Sequence, residues 1–158
     1  MKKSILFITF FLLFCPQFYS QTEGIGVGLV FGEPFGLDVK RWIDKNNAIE
    51  VAIAYSVAIQ HNRFTFHTDY LWHSLNSIKS RESFAIHYGI GLRYSVQTDE
   101  SDRHGIRFIY GLMWYPKQKY PVDFFLELAP VMLFYPYIGL NIDAGAGLRY
   151  YFKTGDEP

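Results

Sequence analysis

Residues 84–96 read FAIHYGIGLRYSV, and their side chains alternate between two kinds. One phase is large and apolar and comprises Phe84, Ile86, Tyr88, Ile90, Leu92, Tyr94 and Val96. The other phase is small or polar and comprises Ala85, His87, Gly89, Gly91, Arg93 and Ser95. Because successive side chains of a β-strand point to opposite faces, this period of two predicts a strand with one apolar face.

The same alternation recurs along the chain. It is clear in LNIDAGAGLRYYF at residues 140–152 and weaker at residues 24–31, 37–43, 49–59, 64–73, 106–114 and 122–128. Gly, Pro, Asn and Asp clusters separate these segments, as expected for turns. The pattern predicts an all-β fold: eight antiparallel strands forming an up-and-down β-barrel over residues 21–152, followed by a C-terminal tail at residues 153–158.

The N-terminal segment, residues 1–20, has the layout of a secretory signal peptide. Lys2 and Lys3 provide a positive start, an apolar run follows to Cys15, and Ser20 is a small residue at the expected cleavage point. The apolar run is too short to span a bilayer as a helix. We therefore expect export, with cleavage that removes the only cysteine and leaves no thiol chemistry.

The charge of the mature chain excludes one class of partner. Cleavage after Ser20 leaves 13 basic residues against 15 acidic ones, a formal net charge of −2. Nucleic-acid binding needs a basic footprint, so we expect none.

The small residues of the polar phase give the barrel its predicted orientation. The lumen of an eight-stranded barrel is so narrow that inward side chains just fill it. Glycines on the inward-facing phase would make room there. The apolar phase is too bulky for that lumen, which favours apolar side chains facing lipid over the alternative of a soluble, lipocalin-type barrel. The glycines concerned are Gly24, Gly26, Gly28, Gly89, Gly91, Gly111, Gly145 and Gly147.

Charged side chains of both signs share the polar phase, so the lumen is predicted to hold paired charges. Cross-strand ion pairs can compensate such buried groups. We interpret them as a structural plug, with a narrow ion-conducting path as the alternative. The predicted network comprises Asp38, Lys40, Glu50, Asp69, Arg93, Arg107, Asp123, Glu127, Asp143 and Arg149.

Aromatic residues near strand ends are predicted to form the interfacial girdles of a membrane barrel. They are Trp42, Trp72, Tyr94, Trp114, Tyr135, Tyr137, Tyr150 and Phe152. One residue conflicts with regular pairing: a closed barrel has no edge for Pro130, so we expect a bulge there or a position above the hydrogen-bonded band.

The last strand resembles the C-terminal signal by which outer-membrane barrels are selected for insertion. Gly147 is followed by aromatics at alternate positions, Tyr150 and Phe152. The resemblance implies the barrel-insertion machinery as a partner, and the outward apolar phase predicts contact with outer-membrane lipid. Lys153 to Pro158 depart from the usual pattern, in which the aromatic residue is terminal.

Six further stretches resemble a family of small outer-membrane β-barrels of unknown function in diderm bacteria, similar to OmpX and the OmpA transmembrane domain. They are GEPFGL at 32–37, NAIE at 47–50, TDYLWH at 68–73, HYGIGLR at 87–93, DFFLELAP at 123–130 and NIDAGAGLRYYF at 141–152. The resemblance covers the mature chain in order and implies an eight-stranded barrel in the bacterial outer membrane. It transfers no catalytic residues.

Metal binding and lipid modification are the two chemical alternatives to a structural role for the polar residues. His67, His73 and His87 share the polar phase of neighbouring strands near Asp69, but their spacing does not demand a metal, so we expect hydrogen-bonded histidines and no metal or cofactor. A lipid-modifying enzyme would need a nucleophile, a base and an acid. Candidates are present without a local signature: Ser56, Ser95, His87, His104 and Asp69.

These observations predict a monomeric, non-enzymatic outer-membrane barrel. Its expected role is structural, or is the binding of an unknown extracellular partner through its loops. The alternatives are an outer-membrane lipid-modifying enzyme and a soluble periplasmic ligand binder.

Overall fold

A computed structural model describes residues 23–56, 63–75, 78, 83–97, 101–116 and 120–152. The predicted signal peptide at residues 1–20 and the tail at 153–158 lie outside these residues. No helix in the described part of the chain has the length and hydropathy needed to cross a membrane. The strands are β1 Ile25–Glu33, β2 Phe35–Trp42, β3 Asn47–Ser56, β4 Arg63–Leu75, β5 Ser83–Gln97, β6 Arg103–Tyr115, β7 Val122–Tyr135 and β8 Gly139–Phe152.

The eight strands form one closed antiparallel barrel. Each strand pairs with the next along the chain, and β8 pairs back onto β1, where Ile25 lies opposite Phe152. Closure gives every strand two neighbours and removes the free sheet edges that invite association with other chains. The predicted fold, an eight-stranded antiparallel up-and-down barrel, is confirmed.

The wall of the barrel is apolar outside and polar inside, as predicted. On β5, Tyr88, Ile90 and Leu92 are 49%, 44% and 59% exposed, whereas His87 and Arg93 are buried. Large apolar side chains are exposed in this way on all eight strands. An apolar surface that surrounds the whole barrel is unusual for a monomer in water and fits a surface that faces lipid.

Strand β7 is longer than its predicted segment at residues 122–128, because it continues to Tyr135. Beyond Leu128 the inward positions are Ala129, Val131 and Leu133, which are all buried. Both faces of the strand are then apolar, so the alternation that marks the other strands disappears.

Pro130 lies within β7 and pairs with Ile142 of β8, so the expectation of a bulge there or of a position above the hydrogen-bonded band is wrong. The pairs on either side of it, Arg107 with Val131 and Tyr110 with Leu128, keep one register. Proline has no N–H to donate, so the pairing of β7 with β6 is interrupted locally, but β7 contains no extra residue there. The register shift between β6 and β7 falls instead between His104 and Gly105.

The turn from β2 to β3 is held by one carboxylate. The backbone N–H groups of Asn46 and Asn47 donate to Asp44 Oδ1 at 2.8 and 2.9 Å, and Asn47 Nδ2 donates to Asp44 Oδ2 at 2.7 Å. These hydrogen bonds favour the ionised form and lower the pKa of Asp44 below its ordinary value of 3.8.

We predict that an NMR titration of the folded barrel finds the pKa of Asp44 below 3.8. Because the folded pKa is depressed, the stability that this carboxylate contributes is present above pH 3.8 and is lost as the pH falls through the folded value. Asn47→Ala removes the Nδ2 donor, so the pKa of Asp44 should rise toward its ordinary value. An unchanged titration in that variant would contradict the turn geometry.

We predict that Ile90→Arg prevents stable insertion. Ile90 faces outward midway along β5, where an arginine on the lipid side costs about 2–4 kcal/mol. The measurement is the heat-modifiable migration of the membrane fraction on gels. Leu140→Arg is the matched control: Leu140 also faces outward but lies at the start of β8, where the cost falls to about 0–1 kcal/mol. Equal assembly of both variants would contradict the outward orientation.

Candidate functional site

The candidate site is the lumen, where the structure places all ten charged residues predicted to form a network. Nine are at most 6% exposed and the tenth, Glu127, has a side chain that is 10% exposed. Side chains alternate between the two faces of each strand, so each charged residue faces the lumen because of its position along its strand. Within the described residues the network contains six acidic and four basic groups.

Glycines set which charges can meet. Gly28 on β1 lies directly between Asp38 on β2 and Arg149 on β8 in the strand register. Neighbouring strands are about 4.8 Å apart, so residues two strands apart must reach over the residue between them. A β-carbon at Gly28 would overlap both Asp38 Oδ1 and Arg149 Cγ. Because Gly28 has no side chain, Asp38 and Arg149 can form an ion pair over it.

The same arrangement occurs twice more. Gly91 on β5 separates Asp69 from Arg107, and a β-carbon there would overlap the Asp69 carboxylate. Gly111 on β6 separates His87 from Glu127, and a β-carbon there would overlap the imidazole. Each of these polar pairs joins two strands that flank a common neighbour, so each contact links three consecutive strands of the barrel wall.

Arg149 is the centre of the network and is fully buried. Its Nε donates to Asp38 Oδ2 at 2.5 Å and its Nη2 donates to Glu50 Oε2 at 2.5 Å. Its other acidic neighbours are Asp123 at 3.6 Å and Glu127 at 3.7 Å. A guanidinium with five donors in a fixed plane suits this position, because one side chain can face several carboxylates at once.

An aromatic ring supports the same guanidinium. The Arg149 guanidinium lies 3.6 Å from the centre of the Phe125 ring, which itself packs on Gly147. The ring face attracts the cation and excludes water from one side of it. Phe125 shares the inward phase with Asp123 and Glu127, which is the one signal in the sequence that could have identified it.

A second centre forms around Arg107, toward the β1–β2 turn. Its Nη1 donates to Asp143 Oδ2 at 3.1 Å, and its Nε lies 3.3 Å from Asp69 Oδ2. Arg93 contacts the other oxygen of Asp143 at 3.3 Å. Glu127 joins the two centres, because it lies 4.0 Å from Arg107 and 3.7 Å from Arg149.

Lys40 occupies the end of the lumen near the chain termini. Its Nζ lies 2.7 Å from His73 Nε2 and 3.8 Å from Met113 Sδ, and it stands over the Trp42 ring at 4.8 Å. Lys40 Nζ donates to the imidazole, so Nε2 of His73 is the acceptor. The ammonium group is therefore placed between an imidazole and an apolar layer.

That apolar layer was missed by sequence reasoning, and the assignment of Trp42 to an outer girdle is wrong. Trp42 is 6% exposed and packs inside the barrel. It shares the inward phase with Asp38 and Lys40, so the alternation of β2 could have placed it correctly. The layer consists of Trp42, Ala48, Ala85, Met113 and Tyr151.

The other predicted girdle residues that the structure describes lie at or near strand ends, several of them well exposed. Trp72 stacks on Tyr88 with ring centres 5.8 Å apart. Tyr150 and Phe152 meet edge to face at 5.0 Å at the end of β8, while Gly147 faces the lumen beneath Phe125. The insertion role of Gly147, Tyr150 and Phe152 stays a prediction.

The candidate catalytic residues are dispersed. The Ser95 hydroxyl pairs with Thr65 Oγ1 at 3.1 Å, and His87 Nε2 contacts Glu127 Oε1 at 3.0 Å. His104 lies elsewhere, packed against Tyr94 at 4.8 Å. Among the described hydrogen bonds, Ser95 therefore contacts neither His87 nor His104, and these candidates are not brought together as a nucleophile and its base.

Comparisons with known proteins agree with the barrel. No protein-family model and no curated protein matches the sequence. Among solved structures, the chain is similar to the crystal structure of the N-terminal β-barrel domain of Pseudomonas aeruginosa OprF, with a TM-score of 0.56 and 10% identity. The alignment covers 81% of this chain and 95% of that one. At this identity the similarity shows the fold alone: an eight-stranded outer-membrane type of barrel.

We predict that Arg149→Met destabilises the barrel by about 3–5 kcal/mol, because it leaves Asp38 and Glu50 buried without their counter-charge. The measurement is urea-induced unfolding of the refolded protein in detergent micelles. Arg41→Met is the matched control, because Arg41 is exposed at the end of β2 and its removal should change stability by at most about 0.5 kcal/mol. Equal unfolding midpoints would contradict a central role for Arg149.

Proposed function

We propose that the protein is a non-enzymatic barrel of the bacterial outer membrane, with a structural role in the envelope or a role in surface interaction. The observation that carries this proposal is the two-sided wall: an apolar belt outside and a charged, tightly packed lumen inside. Outer-membrane lipid would cover the belt, and the barrel-insertion machinery would place it there. We expect a monomer, since closure leaves no strand edge to pair.

The lumen supports a plug better than an open path. Eight strands enclose a space that side chains just fill, and here the buried Arg149 side chain extends into it to contact Asp38 of β2 and Glu50 of β3. The apolar layer around Trp42 and Tyr151 fills one end. We therefore expect that the inserted barrel does not conduct ions steadily across planar bilayers.

Fractionation of the producing cells tests the location. The protein should be recovered with the outer membrane, resist extraction by urea, and migrate differently on gels before and after heating. Recovery in the soluble periplasm would contradict the proposal and would favour the ligand-binding alternative.

A second experiment separates a structural role from catalysis. Deletion of the gene should sensitise cells to detergent, and a plasmid copy should restore resistance. Ser95→Ala should restore it as well as the unaltered protein, since the Ser95 hydroxyl contacts only Thr65 among the described hydrogen bonds. Failure of a stably inserted Ser95→Ala protein to restore resistance would favour the lipid-modifying enzyme.

A further inference from the structure

We propose that Glu50, His67 and Asp69 bind one divalent transition-metal cation of the Zn²⁺ or Mn²⁺ type inside the lumen. Glu50 lies directly opposite Asp69 across β3 and β4, and His67 lies two residues from Asp69 on the same face of β4. One ligand atom of each residue lies within 4.8 Å of the others, and all three residues are buried. This proposal departs from the sequence-based expectation of no metal, and it is independent of the envelope role.

The separation of His67 and Asp69 suits a small cation. His67 Nε2 and Asp69 Oδ2 are 3.6 Å apart, which is too long for a hydrogen bond. Two ligands of a tetrahedral Zn²⁺ site are about 3.4 Å apart when the metal–ligand bonds are about 2.1 Å long. The gap between these atoms therefore fits a metal ion better than it fits a direct contact.

Asp69 lacks the hydrogen bonds that a buried carboxylate needs. It is 2% exposed, and within the described part of the chain neither of its oxygens accepts a hydrogen bond. Arg107 Nε lies 3.3 Å from Oδ2 but is itself without a hydrogen-bond partner, so the pair is close and poorly aligned. A buried carboxylate without hydrogen bonds is costly unless a further cation or a proton binds it.

The lumen carboxylates near this cluster differ in how their charge is compensated. Glu50 accepts a hydrogen bond from Arg149 Nη2, and Asp143 accepts one from Arg107 Nη1. Asp69 accepts none within the described residues, so a divalent cation would supply the partner that it lacks. Protonation of Asp69 would reduce the same cost, and the experiment below distinguishes the two solutions.

Space for the remaining ligand lies beside the cluster. A cavity of about 30 Å³ is bordered by Glu50, His67 and the small side chains of Ala52 and Ala54, beneath Pro34 of the β1–β2 turn. About 10–15 Å³ suffices for one water molecule. Water can therefore complete a coordination sphere that the protein fills with one nitrogen and two carboxylate groups, a set suited to Zn²⁺ or Mn²⁺.

Arg107 must keep a partner when the metal takes Asp69. Its Nη1 lies 3.4 Å from His67 Nδ1 but only 3.1 Å from Asp143 Oδ2. A neutral imidazole that binds metal through Nε2 carries its proton on Nδ1, so Arg107 then donates to Asp143 alone. The acceptor that it needs is already in place.

The test is metal binding to the full mature protein, inserted in detergent micelles and stripped with a chelator. Isothermal titration with Zn²⁺ and with Mn²⁺ should find one site per barrel for at least one of them, and Co²⁺ should give the visible spectrum of a nitrogen- and oxygen-ligated ion. His67→Gln should weaken binding at least about tenfold, since even changes next to metal ligands cost about 10–100-fold. His73→Gln is the matched control and should bind as the unaltered protein does.

Glu50→Gln provides a second variant in case His67→Gln does not assemble, and it should also weaken binding at least about tenfold. Heat-modifiable migration shows that each variant is inserted. The proposal is overturned if the inserted barrel binds none of these ions, which would leave protonation of Asp69 as the alternative. It is equally overturned if both inserted variants bind as tightly as the unaltered protein.

Discussion

The barrel depends on a buried guanidinium in a space too narrow to hydrate it. Arg149 is fully buried and faces carboxylates from β2, β3 and β7. Removing these ions from water is expensive, and their mutual attraction offsets that cost only when geometry and pairing are good. The rest of the lumen is arranged to provide that geometry: Phe125 covers one face of the cation, and Gly28 lets Asp38 approach it.

Glycine is as important to this arrangement as charge. In a closed barrel of eight strands, side chains from alternate strands must cross the strand between them to meet. Gly28, Gly91 and Gly111 each provide that crossing. A sheet of this kind would be weakened by glycine if it faced water, but here each missing side chain is replaced by an ion pair or a histidine–carboxylate contact above it.

Much of this could be predicted from the alternation of the sequence, because a period of two determines both the strand and the face of every residue on it. The alternation of β5 and β8 placed Arg93 and Arg149 in the lumen correctly. It did not reveal which charges pair, because partners such as Asp38 and Arg149 are 111 residues apart and meet only through the closure of β8 onto β1. It also missed the end of β7, where Ala129 and Val131 make both faces apolar.

The lumen is layered, and the layers give the barrel two unlike ends. Near the chain termini, Trp42, Met113 and Tyr151 form an apolar floor, which contacts charge only at its inner side, where Lys40 lies over Trp42 and the Tyr151 hydroxyl donates to Asp123. The charge network lies above it, and a small cavity beside Glu50 and His67 lies beneath the β1–β2 turn. Within the described residues, that cavity therefore lies on the side of the charge network away from the apolar floor. The two ends thus offer different chemistry: carboxylates and an imidazole border the cavity, whereas indole, thioether and phenol side chains pack at the other end.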